Sequence, residues 1–383
     1  MDILPELRAR QLADDEIIAA IDSVERYNTQ QTAARTWEFR ADNKTVGKYE
    51  TNAAGKLKLV DLPTESRMAV LKAVDEDNGS PMYTTAAVTL FSHRPVRGFA
   101  RVQDWIQIRP LLDESQNQAF PASLFGHIPG VPPIPFALEI RCRGSAMWLL
   151  HSLRLDRQIR QANSLVTAFL ECAVFQQRSP YAYVSIDGKT VLARCAAPQA
   201  PEPADGQVFS DVTGLRELEV IPRDQYFSEL GITARELRVP DLQSLWSAFN
   251  ALDAEHQARF LRACASLTSA TNPDIDRGLF VLSLVTSIEA LCDASSETCP
   301  TCGSKLGVGK NFQNFLSTHV QESGELLKAY KDLYGRRSNL VHGSLHYDTD
   351  EPAMGIRETS FATRLAAWSA AKRGIVNWLL AQS

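Results

Sequence analysis

The stretch Tyr334-Gly335-Arg336-Arg337-Ser338-Asn339-Leu340-Val341-His342-Gly343 sets an imidazole, two guanidinium groups, an amide and two hydroxyls within ten residues. An imidazole gives and takes protons near neutral pH. A guanidinium grips phosphate or carboxylate through parallel N–H bonds. Arg337 and His342 are five residues apart, about 140° around an ideal helix, so they do not share a face. His342 falls in the last turn of a helical run, where the helix dipole favours imidazolium and moves its pKa upward. Gly343 follows at the position of a left-handed cap. One chain is therefore a poor dyad, whereas two copies related by a two-fold axis would set two His and two Arg around one cleft.

A second chemical feature lies upstream in Val285-Thr286-Ser287-Ile288-Glu289-Ala290-Leu291. Glu289 is placed midway along an almost wholly apolar helix, where an unpaired charge is costly and calls for a cation. Arg337 is the expected partner, although Arg336 stands next to it and the sequence does not say which of them faces the acid. If the pair is buried, removing one member costs ~3–5 kcal/mol. The plain alternative is that Arg337 only pairs with Glu289 and His342 only caps its helix.

The elements that carry these groups read as helices. From about Asp241 the apolar period is helical, with Leu242, Leu245, Phe249, Leu252, His256, Phe260, Cys264 and Leu267 on one stripe. Gly278 to Cys292 is apolar nearly all round, as expected of a helix with neighbours on several sides. Gly324 to His342 forms a third helix. Thr359 to Ala381 forms a fourth, with Phe361, Leu365, Trp368, Ile375 and Trp378 on its stripe. Four long helices joined by short connections make a bundle.

The first half reads mostly as strands. Lys56 to Val60, Tyr83 to Phe91, Trp105 to Ile108 and Phe136 to Arg141 are β-rich or alternating. Tyr181 to Arg194 reads as a hairpin around Asp187-Gly188, a dipeptide suited to a type I′ turn. One long helix interrupts, with Leu155, Ile159, Ala162, Val166, Phe169 and Ala173 on its stripe. The Pro-rich stretch Pro198 to Pro203 reads as a linker or a long surface loop. The expectation is an α+β chain, with a β-rich domain over residues 1–225 and an all-α domain over 226–383.

Cys299-Pro300-Thr301-Cys302-Gly303 has the form of a zinc-knuckle turn, with Cys292 seven residues before Cys299. These give three of the four ligands of a structural zinc, and His319, His342, His346 or a partner subunit would supply the last. A reduced loop and a local disulfide are the other readings. Gly303 to Lys310 looks like a phosphate loop but lacks its residue order, because Asn311 follows Lys310, and no strand precedes it, so no nucleotide cofactor is expected. No Gly-x-Ser-x-Gly elbow supports serine-hydrolase chemistry.

The net charge of −5 among 383 residues argues against a general nucleic-acid coat, so any RNA contact must be local. No apolar run is long enough to span a bilayer. An odd number of cysteines, seven, and the lack of a signal-peptide pattern point to a reducing cytoplasm.

Ser287-Ile288-Glu289-Ala290-Leu291 together with Tyr334, Arg337, Ser338, Asn339, Val341, His342 and Gly343 resembles the Apea-like branch of the HEPN superfamily. The resemblance covers roughly Asp241 to Ser383, and its specific part runs from Leu284 to Gly343. Active members are metal-independent endoribonucleases with an Arg and a His separated by four to six residues. The resemblance implies His342 in cleavage of the RNA backbone, Arg337 at the scissile phosphate, Asn339 as a polar helper and Glu289 orienting Arg337. It also implies that Arg336, Ser338 and Lys310 lie beside the substrate. It implies a homodimer in a prokaryotic defence system of the toxin or abortive-infection kind, with a phage-derived or antitoxin protein as a candidate partner and the N-terminal half as a sensing or regulatory module. The competing reading is a catalytically silent HEPN module that dimerises and serves as an adaptor.

Overall fold

A computed structural model describes residues 2–42, 44–92, 94–111, 134–170, 174–176, 181–186, 189–194, 200–204, 207–222, 236–271, 277–292, 307–320, 324–342 and 358–382. The chain is mixed α and β, with antiparallel sheets towards the N-terminus and helices towards the C-terminus, as expected. It divides into two units, Met1–Ala86 with Arg141–Ile159, and Ala87–Ile140 with Arg160–Ser383.

The first unit opens with helices α1 (Leu4–Ala9) and α2 (Asp14–Glu25), then a meander of β1 (Asn28–Ala33), β2 (Thr36–Ala41), β3 (Lys44–Thr51) and β4 (Leu57–Asp61), then α3 (Thr64–Gly79). Pro5 sits in the first turn of α1, where its missing N–H costs nothing. Glu16 reaches back to the Ala13 N–H at 3.0 Å and starts α2. Trp37 and Tyr49 are paired across β2 and β3, and their rings stack with centroids 5.0 Å apart. Ile3, Leu7, Ile17, Ile21, Phe39, Val60 and Val70 are sealed in the core. These three helices were not expected from the sequence, and only the fold makes α2 and α3 each other's neighbours.

The second unit contains a five-stranded sheet in the order β6-β7-β8-β5-β9. Its strands are β5 (Tyr83–Ser92), β6 (Ala100–Val102), β7 (Ile106–Pro110), β8 (Ile134–Arg143) and β9 (Val174–Phe175); β5 and β8 each run on into the first unit, as does the long helix α4 (Trp148–Phe169). Register opposes Ile106 to Ile140, Gln107 to Glu139 and Ile108 to Leu138. That puts Gln107, Arg109 and Glu139 on one face and the aliphatic residues on the other.

Such alternation usually leaves the polar face in water. Here Gln107, Arg109 and Glu139 are fully buried, because the segment ending at Ser210 lies across them. Arg109 donates to the Pro201 carbonyl at 3.0 Å and to Ser210 Oγ at 3.1 Å, and the Ser210 N–H donates to Glu139 at 2.9 Å. The Pro-rich stretch is thus tied to the sheet at Pro201 and is not a free linker. β10 (Tyr181–Ile186) and β11 (Lys189–Arg194) form the expected hairpin, with Ile186 paired to Lys189; Asp187 and Gly188 lie outside the described residues.

The remaining described elements of this unit are helices α5 (Leu242–Ala251), α6 (Ala254–Ala270), α7 (Arg277–Glu289), α8 (Val308–His319), α9 (Gly324–Val341) and α10 (Glu358–Gln382). The single stripe expected from Leu242 to Leu267 is two helices. Leu252 is extended, and the Asp253 carboxylate accepts from the His256 N–H at 2.8 Å, which starts α6 afresh. Helix α8 was not anticipated. α7 does have neighbours on several sides, meeting α6, α8, α9 and α10. Gly374 lets α10 approach α8, since a Cβ there would stand 2.9 Å from Phe315 Cε1.

Sheet and helices belong to one unit. Trp105 stacks on Trp246 with centroids 3.6 Å apart, Phe169 packs on Phe260, and the Thr271 hydroxyl donates to the Val174 carbonyl at 3.1 Å. The boundary expected between residues 225 and 226 lies outside the described residues. No helix among the described residues is long and apolar enough to cross a membrane.

Candidate functional site

α7 and α9 pack against each other, and this contact brings Glu289 and Arg337 together. Arg337 Nη2 donates to Glu289 Oε2 at 3.3 Å, so Arg337 rather than Arg336 faces the acid. The pair is only half-buried, with side chains 29% and 19% exposed. Glu289 is the last residue of α7, not its middle. The carbonyl end of a helix repels a carboxylate, so the acid leans on Arg337 for two reasons rather than one. Burial nevertheless raises the Glu289 carboxyl above its ordinary pKa, against the pull of Arg337.

Arg337 is itself incompletely matched. Its Nε is buried without a hydrogen-bond partner, leaving a donor unused beside a single long ion-pair contact. One turn before it, Tyr334 packs on Phe312 of α8 with ring centroids 5.1 Å apart. Burial raises the Tyr334 hydroxyl pKa, and the nearby Glu289 charge adds to the effect. Gly309, in the first turn of α8, lies so near that a Cβ there would meet Tyr334 Cε1 at 3.2 Å. The start of α8, with exposed Lys310, is thereby held beside the motif helix.

His342 lies one residue past α9 and is exposed. Its backbone N–H donates to the Ser338 carbonyl at 3.0 Å, which continues the helical turn. Among the described residues its imidazole makes no hydrogen bond to Arg337 or Glu289, in keeping with their separation around the helix. Arg336 and Asn339 are exposed and Ser338 is half-buried. Val341, adjacent to His342, is an exposed aliphatic residue at 53%.

Arg259 of α6 is a residue that the sequence did not single out. It donates to the carbonyls of Ala290, Leu291 and Cys292 at 3.3, 2.7 and 3.0 Å, closing the chain just beyond Glu289. Nothing in the local spacing could flag it, because its partners are about thirty residues away.

Of the candidate zinc ligands, Cys292 is partly exposed, while Cys299, Cys302 and His346 lie outside the described residues. His319 ends α8 against the Phe315 ring, and burial lowers its pKa. Among the described residues no three His, Cys, Asp or Glu side chains are grouped as a metal site requires. No family model matches this chain, and no curated protein or solved structure matches it either.

Proposed function

We propose that the chain is a metal-independent endoribonuclease of the HEPN kind, acting in prokaryotic defence, with Arg337 and His342 as its principal groups. The observation that carries this reading is the half-buried Arg337–Glu289 pair, whose guanidinium keeps an unused donor, at the base of a helix turn that ends in exposed His342. RNA brings its own nucleophile. The 2′-oxygen attacks phosphorus, the P–O5′ bond breaks, and a 2′,3′-cyclic phosphate and a free 5′-hydroxyl result. One imidazole accepts the 2′-hydroxyl proton and another donates to the leaving 5′-oxygen. Arg337 steadies the extra negative charge on phosphorus. Glu289 fixes the guanidinium, while Arg336, Ser338, Asn339 and Lys310 lie along the RNA.

Because Arg337 and His342 point to different sides of α9, the reaction is assigned to a homodimer in which each cleft draws on both copies. The exposed Val341 beside His342 suits such an interface. A structural zinc on Cys292, Cys299 and Cys302 belongs to this reading only as a support of the α7–α8 connection, and the chemistry needs no metal.

The adaptor reading keeps one specific observation in its favour, namely that His342 meets neither Arg337 nor Glu289 within the chain. An RNA-cleavage assay of the full chain in EDTA separates the two. Cleavage that leaves cyclic phosphate ends and disappears in His342→Ala supports the nuclease; no cleavage by the intact dimer leaves the adaptor.

A further inference from the structure

We propose that the first unit contains an anion site, distinct from the Arg337 cluster, that takes a small phosphorylated ligand. A cavity of about 510 Å³ there is lined by four arginines, Arg10, Arg143, Arg154 and Arg157, against one acid, Glu16. All of these residues lie in the first unit.

The four guanidinium groups are not equivalent. Arg154 is buried and bonds Glu16 at 3.0 Å through Nε, and Asp77 at 2.7 Å and the Gly144 carbonyl at 3.3 Å through Nη1. It acts as the post of the site. Arg10 is held on both oxygens of Asp75, at 2.6 and 2.8 Å, and Arg157 bonds Asp15 at 2.5 Å. Asp15, Asp75 and Asp77 are not part of the cavity lining, so the wall that meets a ligand is richer in cations than the whole cluster.

Arg143 is the exception. Its Nη2 donates to Asn78 Oδ1 at 2.9 Å, a neutral acceptor, and its Nε is buried without a hydrogen-bond partner. A buried guanidinium N–H left unused is costly unless something completes it. The backbone of Arg143 is also fixed in advance. Gln158 accepts from its N–H at 2.9 Å and donates to its carbonyl at 2.9 Å. A held, incompletely matched guanidinium with further cations around one cavity is the arrangement that recognises an oxyanion.

The cavity volume suits a ligand of sugar-phosphate to mononucleotide size. Among the described residues no aromatic ring lines it, so recognition rests on the phosphate and not on stacking. The inference does not rest on the ribonuclease reading, because its readout is binding.

The test is calorimetry and melting of the full chain with pyrophosphate. Citrate serves as the carboxylate arm and sodium chloride as the ionic-strength control. Pyrophosphate should bind one per chain and raise Tm above the chloride control. Arg143→Gln should weaken binding at least about tenfold, the scale of a lost charged hydrogen bond. Arg157→Gln should weaken it severalfold and provides the same reading if Arg143→Gln does not fold. Arg8→Gln, outside the cavity, should bind normally. A pyrophosphate effect no larger than that of chloride, or one unchanged in both variants, overturns the site. Binding of citrate without pyrophosphate overturns the phosphate assignment.

Discussion

Two arginine–carboxylate pairs in the second unit share one chemistry and differ in how completely it is satisfied. Arg109 reaches Glu139 through Nε at 2.8 Å and Nη2 at 2.7 Å, both side chains are wholly buried, and Gln107, Ser210 and the Pro201 carbonyl take up the remaining bonds. Arg337 makes one 3.3 Å contact with Glu289, stays partly exposed and leaves its Nε unused. A polar network with every member matched locks a fold and has nothing left for a ligand. A pair held by one long contact and left partly exposed contributes less to stability, and on the proposed reading its exposed N–H groups are the ones that meet a phosphate. That contrast is why Arg337 is assigned chemistry and Arg109 is not.

The largest expected effect lies at the satisfied pair. Glu139→Ala strands Arg109 in the core and releases the segment carrying Ser210, so it should lower stability by ~3–5 kcal/mol in urea unfolding. A loss below ~1 kcal/mol would show that the network is dispensable and would erase the contrast.

A carboxylate raised by burial sharpens the comparison further. Burial pushes Asp22 up to about 6, and its Oδ1 has no partner. An acid raised in the folded state keeps its proton longer than in the unfolded chain, so stability falls as pH climbs from about 3.8 to about 6. Asp22→Asn should therefore be more stable than the parent by about 1–2 kcal/mol at pH 7, allowing for partial solvation, and lose that advantage near pH 4. Melting curves across this range read the effect; a pH-independent difference would contradict it.

Arg337→Ala comes next, at about 1 kcal/mol rather than the value for a fully buried pair, because both side chains keep contact with water. Glu289 is already raised by burial, and losing Arg337 raises it further, so the variant's deficit should shrink as pH falls through the carboxylate range. RNA cleavage should vanish all the same. A variant that melts ~3 kcal/mol lower would mark the pair as a second Arg109–Glu139, with a structural role alone.

His342→Ala should change stability least, by under ~0.5 kcal/mol, since the residue is exposed. It should abolish cleavage while the dimer persists in sedimentation. Retained cleavage ends the ribonuclease reading.

What the sequence made legible follows from local physics. A stripe recurring every three or four residues located α10, and apolarity nearly all round located α7, because burial on one side or on all sides shows in the chain whatever the topology. An acid in the apolar run around Glu289 announced a cation, since desolvation cost is a property of the group and its neighbours in the chain. Alternation marked β8 for the same reason.

Tertiary structure decided the rest. Whether the alternating face of β8 met water depended on Ser210, which is 71 residues away from Glu139 and carries no sign of it. That Arg337 rather than Arg336 faces Glu289 depended on how α9 is rotated against α7, as did the half-exposure that lowers the expected worth of the pair. The break at Asp253 was written in its capping carboxylate, yet an unbroken stripe hid it. The arginines around the first unit's cavity come from the residue after α1, from β8 and from α4, and only the fold gathers them. Residue types set what each group can do; the packing of distant segments sets how many of its bonds are already taken, and so which of them remain for function.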